Sequence, residues 1–178
     1  MRNPNDTLFD MIHTYYGGSY DYRNIVDWLP HHPEREYKER SLHSIRGIVL
    51  HHSASFAGTP QSFANYHING HGWPGIGYHY VIDSTGVVYL TNFLTSVSYH
   101  CAGNNSKTIG ICLLGNYMNE PQNEAQSNSL YHLISKLTKL LDIRFISPHR
   151  RFKATSCPGT MFDFSSLTAA FPSLIKLN

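Results

Sequence analysis

Charge is scarce in this chain. Asp, Glu, Lys and Arg make up 15% of its 178 residues, well below the roughly one quarter usual for a soluble domain. The formal net charge is +2 with neutral histidine, and no basic stripe stands out, so nucleic acid is not an expected partner. No apolar run approaches the ~18 residues that a membrane span requires. Cysteine is sparse as well: the three present cannot all pair and form no CxxC motif, which excludes a disulfide-stapled scaffold. Internal repeats and low-complexity tracts are absent. The opening MRNPNDTLFDMIHTYY holds one Arg but no uninterrupted apolar stretch, so no signal peptide is expected. The chain is then expected to stay in the cytoplasm or to be delivered outside by other means.

What the chain has in quantity is histidine, 12 residues of it. Histidine is the commonest metal ligand and the side chain that titrates near neutral pH. The length suits one ordinary domain, able to bury roughly 70% of its unfolded surface without a disulfide or a partner.

Residues 1–44 differ from the rest. They carry Gly17-Gly18, Pro30, Pro33 and the mixed-charge stretch HHPEREYKER without a sustained period, and read as an N-terminal arm with a short helix near Asp6–Tyr15 and a solvated charged surface. Regularity begins at Ile45. Ile48, Val49 and Leu50 form a buried-strand pattern ending at His51-His52, and Thr59-Pro60 marks a helix start running to about Asn69. YHYVID and VVYLT around a turn at residues 84–86 read as a hairpin, and IGICLL as another apolar strand. Leu130, Leu133, Ile134, Leu137 and Leu141 share one helical face. The strand RFIS, the loop PHRRFKATSCPG and a short helix complete the chain. The order predicts one α/β domain over 45–178, a central mixed sheet flanked by helices, behind the arm.

Strand ends and loops carry the candidate chemistry. Adjacent strand residues face opposite ways, so only one of His51 and His52 faces a given cleft. His149 and Cys157 are eight residues apart, so a loop has to bring them together. With another His they offer three borderline-soft ligands, a set that suits zinc with one open position; a lone Cys before Pro-Gly also serves as core packing. Tyr78 and His79 follow glycines, where either packing or a cleft role fits. His100 and Asn105 precede a buried strand, and turn chemistry by itself accounts for the asparagine.

In order, IVLHHSAS, NYHINGHGWPGIGYHYVID, HCAGNNSKTIGICLLGNY and PHRRFKATSCPG resemble the zinc-dependent N-acetylmuramoyl-L-alanine amidases of the type 2 family, which includes phage lytic amidases and peptidoglycan recognition proteins. The resemblance spans roughly residues 45–165, and RNIVDWLPHHPEREYKERSLHSIR is similar to the lead-in of some phage and bacterial members. It implies one zinc ion held by His51, His149 and Cys157. It implies that Tyr78 hydrogen-bonds the zinc water or the developing oxyanion, and that Thr155 stands where other members carry Lys or Thr. It matches His100 and Asn105 to residues lining the glycopeptide groove, with His67, Trp73 and His79 as further walls. One departure stands out: a branch of the family carries a Glu general base where this chain has Cys112.

The implied reaction is hydrolysis of the amide between the lactyl group of N-acetylmuramic acid and L-alanine of the stem peptide. His79 or His100 is the expected proton donor to the departing amine. A peptidoglycan-binding sensor without catalysis, and a hydrolase of the same fold acting on another amide, are the rival readings. A monomer is expected, released to the cell wall in phage lysis, with cytoplasmic recycling as the other route.

Overall fold

The structure is a computed structural model that describes residues 20–177. The helix expected near Asp6–Tyr15 lies outside the described residues. Six strands form one sheet: β1 (Tyr22–Asn24), β2 (Gly47–His52), β3 (Tyr80–Ile82), β4 (Val88–Leu90), β5 (Thr108–Leu113) and β6 (Phe145–Pro148). Their spatial order is β1-β4-β3-β5-β2-β6. Only the β3–β4 hairpin is antiparallel; every other pairing is parallel. The mixed α/β sheet expected from the pattern is therefore present. β2 and β5, paired from Gly47↔Thr108 to His52↔Leu113, are buried along their whole length, as parallel strands covered on both faces are.

Three α-helices flank the sheet among the described residues: α1 (Pro60–His71), α2 (Glu124–Leu140) and α3 (Phe164–Ala170). α1 starts where Thr59-Pro60 predicts. The Thr59 hydroxyl accepts from the Ser62 N–H, Ser62 reciprocates, and Pro60 occupies the first turn, where its missing N–H costs nothing. The helix stops at Gly72, whose φ of 62° favours glycine. α2 is capped in the same reciprocal way by Asn123 and Gln126. Its predicted apolar face, Leu130, Leu133, Ile134 and Leu137, is completely buried against the sheet, whereas Leu141 falls just past the helix end.

Period-two alternation sorts the central strands between two apolar layers. Ile48, Leu50, Ile109, Ile111 and Leu113 join the larger cluster with α2 and α3. Cys112 and Val81 join Ala64 of α1 in a smaller one, where Tyr78 packs against them. His51, opposite Cys112 in the pairing, thus faces the α1 side, while His52 takes the other side and accepts from the Tyr117 N–H.

The described part of the arm is not wholly irregular. β1 pairs with β4, and Tyr22 and Val26 enter the larger core. A three-residue strand is too short to show alternation, and its order comes from the β4 edge it pairs with. Within the stretch read as solvated surface, Arg40 is instead half-buried. Its guanidinium donates to the carbonyls of Leu94, Asn105 and Thr108 at 2.7–2.8 Å. Burial lowers its pKa to about 10, which still leaves it charged at neutral pH.

Candidate metal centre

Strand register assembles the site. Leu50 pairs with Pro148 across parallel β2 and β6, so the next residues, His51 and His149, emerge side by side at the same end of the sheet. Their ring centroids are 4.5 Å apart. The chain then turns through His149–Arg151. The Cys157 carbonyl accepts from the Arg150 N–H at 2.9 Å, folding the loop back so that Sγ lies 3.7 Å from His51 Nδ1. Thr155, two residues earlier and exposed, accepts from the Cys157 N–H through Oγ1 at 3.3 Å.

The ligand atoms of His51, His149 and Cys157 all lie within 4.8 Å of one another. Zinc bonds of about 2.0–2.1 Å to nitrogen and 2.3 Å to sulfur in a tetrahedron place N and S about 3.5 Å apart, close to the 3.7 Å observed. Two imidazoles and a thiol are also the borderline-soft set that zinc takes. Geometry and donor chemistry both fit the ion.

The histidines are in the state a metal needs. Burial, together with the cost of placing a charge beside the His100 and His149 rings, holds His51 well below 6.5, and burial lowers His149 too, so both keep a lone pair at neutral pH. Burial pushes the Cys157 thiol up to about 11; binding a cation must displace that proton.

A hydrogen-bond chain selects the tautomer of His51. His100 Nε2 sits 3.3 Å from the Thr108 carbonyl, which only accepts, so Nε2 carries the proton and Nδ1 of neutral His100 accepts. That acceptor is 3.1 Å from His51 Nε2, which therefore donates and leaves its lone pair on Nδ1, the nitrogen facing Cys157. Replacing His100 with alanine is expected to weaken zinc binding by about 10- to 100-fold, read by competition with a chromogenic chelator. Unchanged affinity would show that His51 needs no such partner.

The structure corrects the groove reading of His100 and His79. His100, 5% exposed, lies beneath His51 rather than on a groove wall. His79 is completely buried: Nδ1 accepts from the Gly110 N–H at 3.0 Å, and Nε2 lies 2.7 Å from Arg40. Burial holds His79 well below its ordinary range and His100 at about 3, so neither carries a proton for a leaving amine at neutral pH. Asn105 fixes a turn, its Oδ1 accepting from the Cys101 N–H at 2.7 Å.

Tyr78 lies beside the centre, with His67, 7% exposed and so buried much as His100 is, and then Trp73 packed behind it. The Tyr78 ring is 5.3 Å from that of His51 and half-buried. His67 backs it edge-on at 5.5 Å and stacks on Trp73 at 4.8 Å. Gly77 permits this packing, since a Cβ there would stand 2.7 Å from the Trp73 ring. Burial, reinforced by the Cys112 and Cys157 thiols, raises the Tyr78 phenol well above 10 and keeps it a donor. Cys112 is fully buried beneath it, and all three cysteines are free thiols.

Burial of His67 also makes acid destabilising. Its pKa falls from 6.5 to about 4, so between those values the unfolded chain binds a proton that the native chain does not. The stabilisation is complete above 6.5 and is lost as pH falls toward 4, at about 1.4 kcal/mol per unit or roughly 3 kcal/mol in all. Urea midpoints of the metal-free protein should drop from pH 7 to pH 4.5, and less steeply in His67→Gln. A flat profile would contradict the buried neutral assignment.

Known proteins resemble this chain in sequence and in fold. The family described as N-acetylmuramoyl-L-alanine amidase matches residues 41–160. The peptidoglycan-recognition protein SC1a of Drosophila melanogaster is 34% identical over 123 residues, covering 63% of this chain. The match spans 66% of that relative's length, just under two thirds. An N-acetylmuramoyl-L-alanine amidase of Sus scrofa is 32% identical over 107 residues, 58% of this chain but only 18% of the relative. Among solved structures, the N-acetylmuramoyl-L-alanine amidase LysC of Clostridium intestinale URNW superposes with a TM-score of 0.73 at 26% identity, covering 89% of this chain and all of that one. With two thirds of its length inside the matched region and the His51–His149–Cys157 cluster at its centre, the chain belongs to the N-acetylmuramoyl-L-alanine amidase family.

Proposed function

We propose that the chain is a zinc-dependent amidase that cleaves peptidoglycan between N-acetylmuramic acid and the L-alanine of the stem peptide. The observation that carries this reading is the three-ligand group, with His51 already neutral and turned so that Nδ1 faces Cys157. Zinc held there would acidify a water toward a pKa of about 7 and polarise the scissile carbonyl. The protein's own groups do the rest. His100 holds the His51 ring, and His67 holds the Tyr78 ring at the edge of the cleft. The protonated Tyr78 hydroxyl donates to the oxyanion that develops at the carbonyl, an interaction that strengthens as charge builds. Thr155, its oxygen occupied by the Cys157 N–H, keeps its own O–H proton for the same region.

The second reading is a peptidoglycan-binding sensor, favoured by the recognition-protein names among the relatives. Zinc content and turnover of a soluble N-acetylmuramoyl-peptide, measured on one preparation, separate the two. The amidase reading expects one zinc per chain and release of a peptide with a free L-alanine amine. Binding of the muropeptide without release would assign the chain to sensing.

A further inference from the structure

A groove of about 700 Å³ opens at the opposite end of the sheet from the metal centre. Arg46 and Lys107 immediately precede β2 and β5, whose far ends carry His51 and Leu113, and the two are tied by the Arg46 N–H donating to the Lys107 carbonyl at 2.8 Å. Six strand residues separate the groove from the metal ligands by roughly 17–20 Å. Lys38 and Arg40 form its other wall, held by the bond from the Val97 N–H to the Lys38 carbonyl and by the Glu39↔Ser96 bridge.

Four cations line this groove against one carboxylate, Glu39, in a chain whose charges nearly balance overall. Their roles differ. Arg40 spends its Nε and Nη1 donors on backbone carbonyls, its Nη2 lies against His79, and it supplies a fixed positive charge. Arg46 reaches toward Asp142 at 3.7 Å. The ammonium groups of Lys38 and Lys107 make no hydrogen bond or ion pair among the described residues, and both residues are exposed. Two unpaired ammonium groups over a fixed guanidinium attract an anion, and an open trough admits a chain better than it encloses a small ion. The lining holds no aromatic ring, so it lacks the stacking platform that single-stranded nucleic acid uses.

We propose that this groove binds a flexible phosphodiester polymer of the cell wall, with Lys38 and Lys107 as its contact cations. The site rests on the wall-directed reading above and would hold the protein on the wall while the opposite end of the sheet works on the stem peptide. The test is titration of the purified protein with a fluorescent poly(glycerol phosphate) oligomer at several salt concentrations, alongside the Lys38→Glu/Lys107→Glu variant. The variant should bind at least about tenfold more weakly at physiological salt. Losing two contacts should flatten the log–log salt slope by about 1.4. Turnover of soluble N-acetylmuramoyl-peptide should be equal in the two proteins. Failure of the amidase reading would show as no turnover by either protein, with the binding difference intact. Equal binding by both proteins, or no binding by the wild type, would overturn the proposal. Tighter binding of an oligothymidylate of the same charge would overturn it too and assign the groove to nucleic acid.

Discussion

Replacing Cys157 with serine is expected to reduce bound zinc from one ion per chain to near none and to cut hydrolysis by at least about 10³-fold, a loss of roughly 4 kcal/mol in transition-state stabilisation. The reasoning is chemical before it is structural. A serine hydroxyl stays protonated where a thiol can ionise, so the soft anionic ligand is lost. The fold should survive, because Cys157 lies in a loop held by the Arg150–Cys157 and Gly159–Ser156 backbone bonds rather than by its sulfur. Matched thermal midpoints of the two metal-free proteins, with zinc taken up by the wild type alone when it is supplied, are the expected pair of results. Undiminished turnover by a zinc-free Cys157→Ser protein would remove the metal from the account.

Tyr78→Phe separates the oxyanion donor from the metal. The ring packing on His51 and His67 is kept, and only the hydroxyl is lost. Zinc content should therefore stay at one, while turnover falls by about 10²- to 10³-fold at unchanged affinity for the muropeptide, the usual cost of deleting one such donor. A fall of less than tenfold, worth about 1.4 kcal/mol, would show that Tyr78 is not a major stabiliser. Loss of zinc in this variant would make the tyrosine a support for the metal site instead.

The residues that a metal would touch were the legible ones. His51 and His149 stand at the ends of apolar strand patterns, and Cys157 in a loop of turn-forming residues, so local pattern and motif order point to the same positions. The face that each side chain takes also followed, since alternation alone sends His51 and His52 to opposite sides. What lies behind the ligands was much less visible. The family resemblance matched His79 and His100 to the lining of a groove, yet tertiary packing buries both. The trace they leave is Gly110, inside the apolar run IGICLL. A Cβ there would stand 2.5 Å from the His100 ring, and a glycine inside a strand marks such a close approach. Arg40 had no comparable marker. It sits among Arg35, Glu36 and Lys38 in a stretch with solvated-surface composition, and only the fold brings the carbonyls of Leu94, Asn105 and Thr108 to it. Buried polar partners separated by tens of residues are set by topology, which local pattern does not encode.

These long-range bonds also explain how the arm bears on the site. Arg40 donates to the carbonyl of Thr108 at 2.7 Å, and the same carbonyl faces His100 Nε2. A residue from the N-terminal segment thus helps set the acceptor that selects the His100 tautomer and, through it, the His51 lone pair.

The most direct test of the account is mass spectrometry of fragments released from purified sacculi, with and without a zinc chelator. The account predicts intact stem peptides beginning with a free L-alanine amine, abolished by the chelator and restored when zinc is added back. Release that persists in chelator, fragments cut at another bond, or tight binding to sacculi with no release would contradict it.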